Sequence, residues 1–296
     1  MRRFVKVGAA AAAVTALVAA TLLQASPANA TGPNGRVAFE RCTGSVSCRI
    51  YTVRSDGTGL FRLTLTGFNE LPAWSPNGSQ VAFASNRSGS LQIWLVSATG
   101  TGLHQVTTKG WNLDPVWSPD GKKLAYVSTR AGSQQIFVET LSTGVTRQLT
   151  AAATNESPSF SPNGSQIAFE SNRSGRDQIY TMSISGGPAT RLTSVGTNEE
   201  PAWAPNGASI LFVSNRTGDH HLFTVPAKGG VNVELTFGNF DDDQPAWSPN
   251  GARITFTSGR SGSDALWTAA ANGSAARQLT FNAGVDDVAP TWGIHG

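Results

Sequence analysis

Pro72-Ala73-Trp74-Ser75-Pro76-Asn77-Gly78 decides the reading of this chain, because it returns at residues 115–121, 158–164, 201–207 and 245–251. The aromatics at its centre are Trp74, Trp117, Phe160, Trp203 and Trp247, and Trp292 in Pro290-Thr291-Trp292 makes a sixth. Their spacings are 43, 43, 43, 44 and 45 residues. Self-similarity at such a period is the mark of a repeat architecture, in which each unit buries its apolar surface against the next.

Each unit continues in one order. After the turn comes an apolar strand, as in Gln80-Val81-Ala82-Phe83-Ala84, then the polar loop Ser85-Asn86-Arg87-Ser88-Gly89. A second apolar strand follows at Ile93-Trp94-Leu95-Val96, and a Gly turn leads to a last strand ending in Val106-Thr107. Alternation bounded by Gly, Pro and Asn turns predicts four antiparallel strands. Pro suits the first central position of the S-P-N-G turn, and Gly takes the left-handed position after it. Four strands at this period predict an all-β fold, a six-bladed β-propeller of four-stranded antiparallel blades. A β-sandwich has turns at similar spacing but does not require near-identical units.

The ends of the repeat array imply how the ring closes. Pro33-Asn34-Gly35 and Arg36-Val37-Ala38-Phe39 enter a blade at its turn, without an inner strand. Ala289-Pro290-Thr291-Trp292 is an inner strand with nothing after it. The C-terminal strand is therefore expected to join the first blade, which removes an open sheet edge.

Residues 1–30 read as a secretory signal peptide. Arg2, Arg3 and Lys6 precede an Ala-rich apolar run, and Ala28-Asn29-Ala30 supplies an A-x-A cleavage site. An N-terminal membrane anchor is the competing reading, and the small-residue cleavage site argues against it. Residues 31–296 then form one propeller domain, exported to the periplasm or secreted, with no membrane insertion after cleavage and expected to be a monomer. Beyond residue 30 the chain has 19 basic and 19 acidic residues, so charge gives no case for a nucleic-acid partner. Cys42 and Cys48 are the only cysteines. In an exported chain a pair six apart is most simply a disulfide, with a reactive thiol or a metal pair as alternatives.

The string P-x-W-S-P-[DN]-G, an apolar strand, S-x-R-x-G, I-[YFW] and L-T resembles the WD40-like repeats (PD40) of the TolB-type propeller family. The resemblance spans residues 33 to 292. It implies a six-bladed propeller that binds other molecules, protein partners among them. Related propellers also cap prolyl-oligopeptidase-type hydrolases. The family's envelope-complex members carry an α/β domain before the propeller, and only a few residues separate Ala30 from the first blade here.

No G-x-S-x-G elbow, P-loop or H-E-x-x-H occurs in the sequence. His104, His220, His221 and His295 do not share a repeat position. His220 and His221 stand where other blades have Asp177-Gln178 or Gln134-Gln135, which suits either a loop replacement or a metal or acid–base role.

The recurrent polar constellation lies just before the inner strands. Five residues ahead of each aromatic stand Asn69, Asn112, Asn155, Asn198, Asp242 and Asp287. One residue later come Glu70, Glu156, Glu199 and Asp243, with Leu113 and Val288 breaking the pattern, and Asp241 and Asp286 add charge. Two readings stand. These side chains can accept backbone N–H bonds and fix the turn into the strand. Alternatively they form an oxygen-rich ring at the channel mouth that takes a small polar ligand or a hard cation such as Ca2+, with Asp242, Asp243 and Asp287 as its acidic sector.

Arg87, Arg130, Arg173, Arg216 and Arg260 in the polar loops are expected to pair with those side chains. An anion-binding role is the alternative. The first blade lacks this loop, and the Cys42–Cys48 pair is expected to take its place. The function expected is a non-catalytic propeller that binds a protein partner or small polar ligand at the channel face. A metal-assisted lyase or hydrolase of saccharides or lactones is the alternative.

Overall fold

A computed structural model describes residues 35–44, 47–281 and 284–293. The expected signal peptide lies outside the described residues. Among the described residues the chain forms six four-stranded antiparallel sheets, arranged as successive blades. The second blade is representative, with strands Asn69–Trp74, Gln80–Ser85, Gln92–Ser97 and His104–Gln105 from the inside outward. The inner strands of blades three to six are Asn112–Trp117, Asn155–Phe160, Asn198–Trp203 and Asp242–Trp247.

The ring closes as the sequence implies. Asp286–Trp292 is the inner strand of the first blade and pairs with Arg36–Cys42, placing Val37 opposite Trp292 and Arg41 opposite Asp287. Closure removes the inner edge that a truncated first blade would expose. The outer strands are only two residues long, except Val145–Gln148 in the third blade. Short outer strands limit edge-to-edge pairing with other chains.

The turn chemistry is as read. In the second blade Gly78 has φ 68° and its N–H donates to the Ser75 carbonyl at 2.9 Å. Asn77 Oδ1 accepts from the Ser79 N–H at 3.1 Å, and Ser75 Oγ accepts from the Gln80 N–H at 2.9 Å. The second strands depart from simple half-burial. Val81, Ala82, Phe83 and Ala84 are all fully buried, because each blade packs a neighbour against either face. One core cluster accordingly joins Ala82 and Ile93 of the second blade to Trp117, Leu124 and Tyr126 of the third.

Cys42 and Cys48 form a disulfide and face each other across the first hairpin of blade one.

Candidate functional site: the loop face and the channel

The Asn/Asp ring is buried. Asn69, Asn112, Asn155, Asn198 and Asp242 have no exposed surface, and Asp287 is 2% exposed. Each side-chain oxygen accepts from an arginine of its own blade. Arg87 reaches Asn69 at 2.5 Å, Arg173 reaches Asn155 at 2.7 Å and Arg216 reaches Asn198 at 2.6 Å. Arg260 donates to both oxygens of Asp242 at 2.7 and 2.6 Å. The guanidinium is held from its other sides too. Its Nε donates to the serine ending the second strand, as Arg87 does to Ser85 at 2.9 Å. It also lies over two aromatic rings, for Arg216 those of Phe212 and Phe223 at 5.4 and 4.5 Å. Stacking with a fixed fork of donors is arginine's particular capacity, so lysine is no substitute here.

The first blade corrects one expectation. The disulfide does not take the place of the arginine. Arg41, on the second strand itself, stacks on Phe39 and Tyr51 and makes a two-bond contact with Asp287 at 2.6 and 2.7 Å. The guanidinium reaches the same place from a different backbone position. The sequence hides this because Arg41 sits two residues after its aromatic, whereas Arg87 and its counterparts sit four after theirs.

The ring's amides donate where backbone-accepting oxygens were expected. Asn112 Nδ2 donates to the Lys109 carbonyl at 3.0 Å and to Gln92 Oε1 of the preceding blade at 2.8 Å. Asn155 and Asn198 repeat this with Gln135 at 3.0 Å and Gln178 at 2.9 Å. At this glutamine position the fifth and sixth blades carry His221 and Ala265. Those are the two places where the next blade has Asp instead of Asn. An amide whose N–H2 has lost its acceptor is replaced by a carboxylate, which has nothing to donate. Asn69 follows Cys48 and donates to that residue's backbone carbonyl at 3.4 Å.

Asp242 and Asp287 are thus each held by a guanidinium inside a blade, and of the expected acidic sector only Asp243 is substantially open to solvent. Among the described residues, three ligand atoms come within 4.8 Å of one another in two groups: Glu40 with Cys42 and Cys48, and Glu170 with Asp177 and Glu199. The first contains the disulfide sulfurs. The second gathers carboxylates from the fourth and fifth blades around Glu199, one of the expected site residues. Glu70 and Glu156 are half-buried at the equivalent inner-strand position.

The acidic surface continues into the sixth blade. His220 Nδ1 lies 2.9 Å from Asp243 Oδ1, and the His220 N–H donates to Asp241 at 3.0 Å. The hydrogen bond to Asp243, with the negative charge of Asp243, Glu199 and Asp241, raises the imidazole to about 9 against the opposing effect of burial. Asp264 is raised by burial and by Asp286, Asp243 and Asp241. Carboxylates outnumber cations here strongly enough to hold a proton on the histidine.

The channel is lined by residues that the sequence reading passed over. Leu71, Asp114, Ser157, Glu200, Gln244 and Ala289, each followed by proline, surround a central cavity of about 170 Å³. All six have positive φ, from 49° at Ser157 to 55° at Glu200, and mark a bulge in the inner strand. Left-handed geometry at a non-glycine residue costs on the order of 1 kcal/mol or more, so the bulge must be over-determined by its surroundings. Proline suits it, having no N–H to place in the ladder. The freed amides are bonded across blades. Gln244 N–H donates to Glu200 at 2.5 Å, Ala289 N–H to Gln244 at 2.8 Å, Glu200 N–H to Glu170 at 3.1 Å and Leu71 N–H to Glu40 at 2.5 Å. A sequence signal existed. This is the one inner-strand position occupied by a different residue in every blade.

The comparisons agree with this architecture. No curated protein matches. Among solved structures, TolB from Acinetobacter baumannii is similar with a TM-score of 0.80 at 24% identity, covering 88% of this chain and 67% of that one. A Kuenenia stuttgartiensis hydrazine synthase chain is similar with a TM-score of 0.74 at 16% identity, covering 89% and 47%. An oligogalacturonate lyase in complex with manganese is similar with a TM-score of 0.52 at 15% identity, covering 84% and 74%. At these identities the likeness is one of fold. The family model described as the TolB beta propeller domain matches residues 10–165, 104–199 and 193–296. With the repeat, the strand-exchanged closure and this match in agreement, the chain belongs to the TolB β-propeller (PD40) family.

Proposed function

We propose that this protein is an exported binding propeller. Its loop face, over blades four to six, receives a cationic group of a protein partner or small polar ligand. The observation that carries this reading is the convergence of Glu170, Asp177 and Glu199, with Asp243, Asp241 and Asp264 alongside. An ammonium, a guanidinium or a hard cation such as Ca2+ would relieve the mutual repulsion of these carboxylates. The disulfide supports residence in an oxidising compartment, either periplasmic or extracellular. The lyase neighbour shares the fold alone.

The test is calorimetric titration of the purified protein with pentalysine and separately with Ca2+, at low and high salt. Binding of either probe by the wild type, weakened about tenfold or more in Glu199→Gln/Asp243→Asn, supports the proposal. A wild type that binds neither probe, or a double variant that binds as well as wild type, rejects it.

A further inference from the structure

A second polar cavity opens on the same face, in the fourth blade, with a volume of about 360 Å³. It is lined by Ser174, Gly175, Arg176, Gln178, Arg191 and Ser194. Two arginines thus line one cavity, and its lining contains no carboxylate. Among the described residues, neither the Arg176 nor the Arg191 guanidinium makes a hydrogen bond or an ion pair. Asp177, next in the chain to Arg176, turns instead toward Glu170 and Glu199. Gln178 is already engaged, accepting from Asn198 at 2.9 Å and donating to the Gly196 carbonyl at 2.7 Å.

The repeat shows that this is a local departure. Where the fourth blade has Arg176, blades two, three and six have Ser90, Ser133 and Ser263. In blades two and three that serine Oγ accepts from the local glutamine, at 3.0 Å from Gln92 and 2.8 Å from Gln135. Arg176 gives up that bond. Where the fourth blade has Arg191, blades two, three and six have Gln105, Gln148 and Gln278, each donating to the carbonyl of the threonine two residues on, as Gln105 does to Thr107 at 2.7 Å. Blade one has Arg62 there, without a counterpart of Arg176 in the same frame. In blade five the two positions hold Asp219 and Glu234, and Glu234 accepts from Thr217 at 2.9 Å and faces His221 at 2.9 Å. The fourth blade alone places two cations at these positions, and both replace residues whose local bonds blades two and three keep.

Both arginines are solvent-exposed, and two guanidinium forks at one cavity match the oxygens of carboxylate, phosphate or sulfate. We infer that the Arg176–Arg191 cavity is an oxyanion-binding site. It takes an anionic group of a bound molecule, with Ser174 and Ser194 as additional hydroxyl donors. It is independent of the acidic surface around Glu199, since no carboxylate of that surface lines it.

The test uses substitutions already found in the repeat, so the blade keeps a known solution. Inorganic phosphate, sulfate and acetate are titrated separately into the full chain at low ionic strength, followed by calorimetry and by NMR of the arginine Nε–H groups. Saturable binding of any of the three, weakened about tenfold in Arg176→Ser or Arg191→Gln and lost in the double variant, is the result expected. The Arg62→Gln variant should bind as wild type does. An unchanged melting temperature in the double variant shows that the blade is intact. Absence of saturable binding of all three anions up to about 50 mM, weaker than even a millimolar site, overturns the inference. So does binding that survives in the double variant, or equal loss in Arg62→Gln.

Discussion

Two rings of six residues run around this propeller, and they obey opposite rules. The ring of Asn69, Asn112, Asn155, Asn198, Asp242 and Asp287 is nearly uniform, buried and closed by arginine in every blade. The ring two residues further on, from Leu71 to Ala289, shares one strained backbone conformation but not one side chain. Uniform chemistry at a repeat position signals that every blade solves the same problem. Shared geometry with varied chemistry signals a position that can be specialised. Even the Asn-to-Asp change in the uniform ring follows its neighbours, because Asp appears where the preceding blade has His221 or Ala265 in place of glutamine.

The largest expected effect attacks the uniform ring where it is charged. Arg260→Leu leaves the Asp242 carboxylate buried without its cation and should cost about 3–5 kcal/mol, read as a fall in the denaturation midpoint. Arg130→Leu removes a 3.3 Å bond to the neutral Asn112 and should cost less, about 1–3 kcal/mol. Equal costs would show that stacking, and not the buried charge, sets the energy of the ring.

A second prediction rewrites the sixth and first blades in the pattern of the others. Asp287→Asn alone leaves an amide facing Ala265 and weakens the contact to Arg41. Adding Ala265→Gln supplies the missing acceptor. The double-mutant cycle should show favourable coupling of about 1 kcal/mol, and additive effects would break the neighbour rule.

The third concerns the acidic surface, where the loop position before the third strand varies between blades. His220 titrates at about 9 when folded, above its ordinary 6.5. A raised folded value means that its contribution is fully present below about pH 6.5 and is lost as pH rises through about 9. Melting temperature should therefore fall more steeply over this interval in wild type than in His220→Gln. Parallel curves would show that the Asp243 contact contributes nothing.

The smallest effect is a gain. Asp264 is pushed up by burial and by Asp286, Asp243 and Asp241, so its ionised form costs stability at neutral pH. Asp264 is nonetheless solvent-exposed, so water screens most of this repulsion, and Asp264→Asn should raise stability by at most about 0.5 kcal/mol at pH 7, with the advantage shrinking as the pH falls. A loss would mean that the carboxylate makes a contact worth more than the repulsion.

Much of the molecule was legible before any coordinates. Trp74 and its five counterparts set the blade count, and Pro290-Thr291-Trp292 pointed to the closing strand. Asn69 and Arg87 were visible as recurrent positions, but not that they bond each other inside the blade. The channel lining was misplaced by one or two residues, since period-2 alternation holds only for a regular strand. The bulge at Leu71-Pro72 reverses the side chains beyond it. Arg41 escaped notice because it reaches its site from another backbone position.

The sequence by itself determined the blades, their number and their closure, since those depend on local turns and on apolar periodicity repeated along the chain. The tertiary structure alone decided which polar residues face one another. Gln92 meets Asn112, Glu170 meets Asp177 and Glu199, and Arg176 and Arg191 line one cavity, across strands or blade boundaries. Such meetings depend on the stacking of one blade on the next, which spacing along a single chain does not encode.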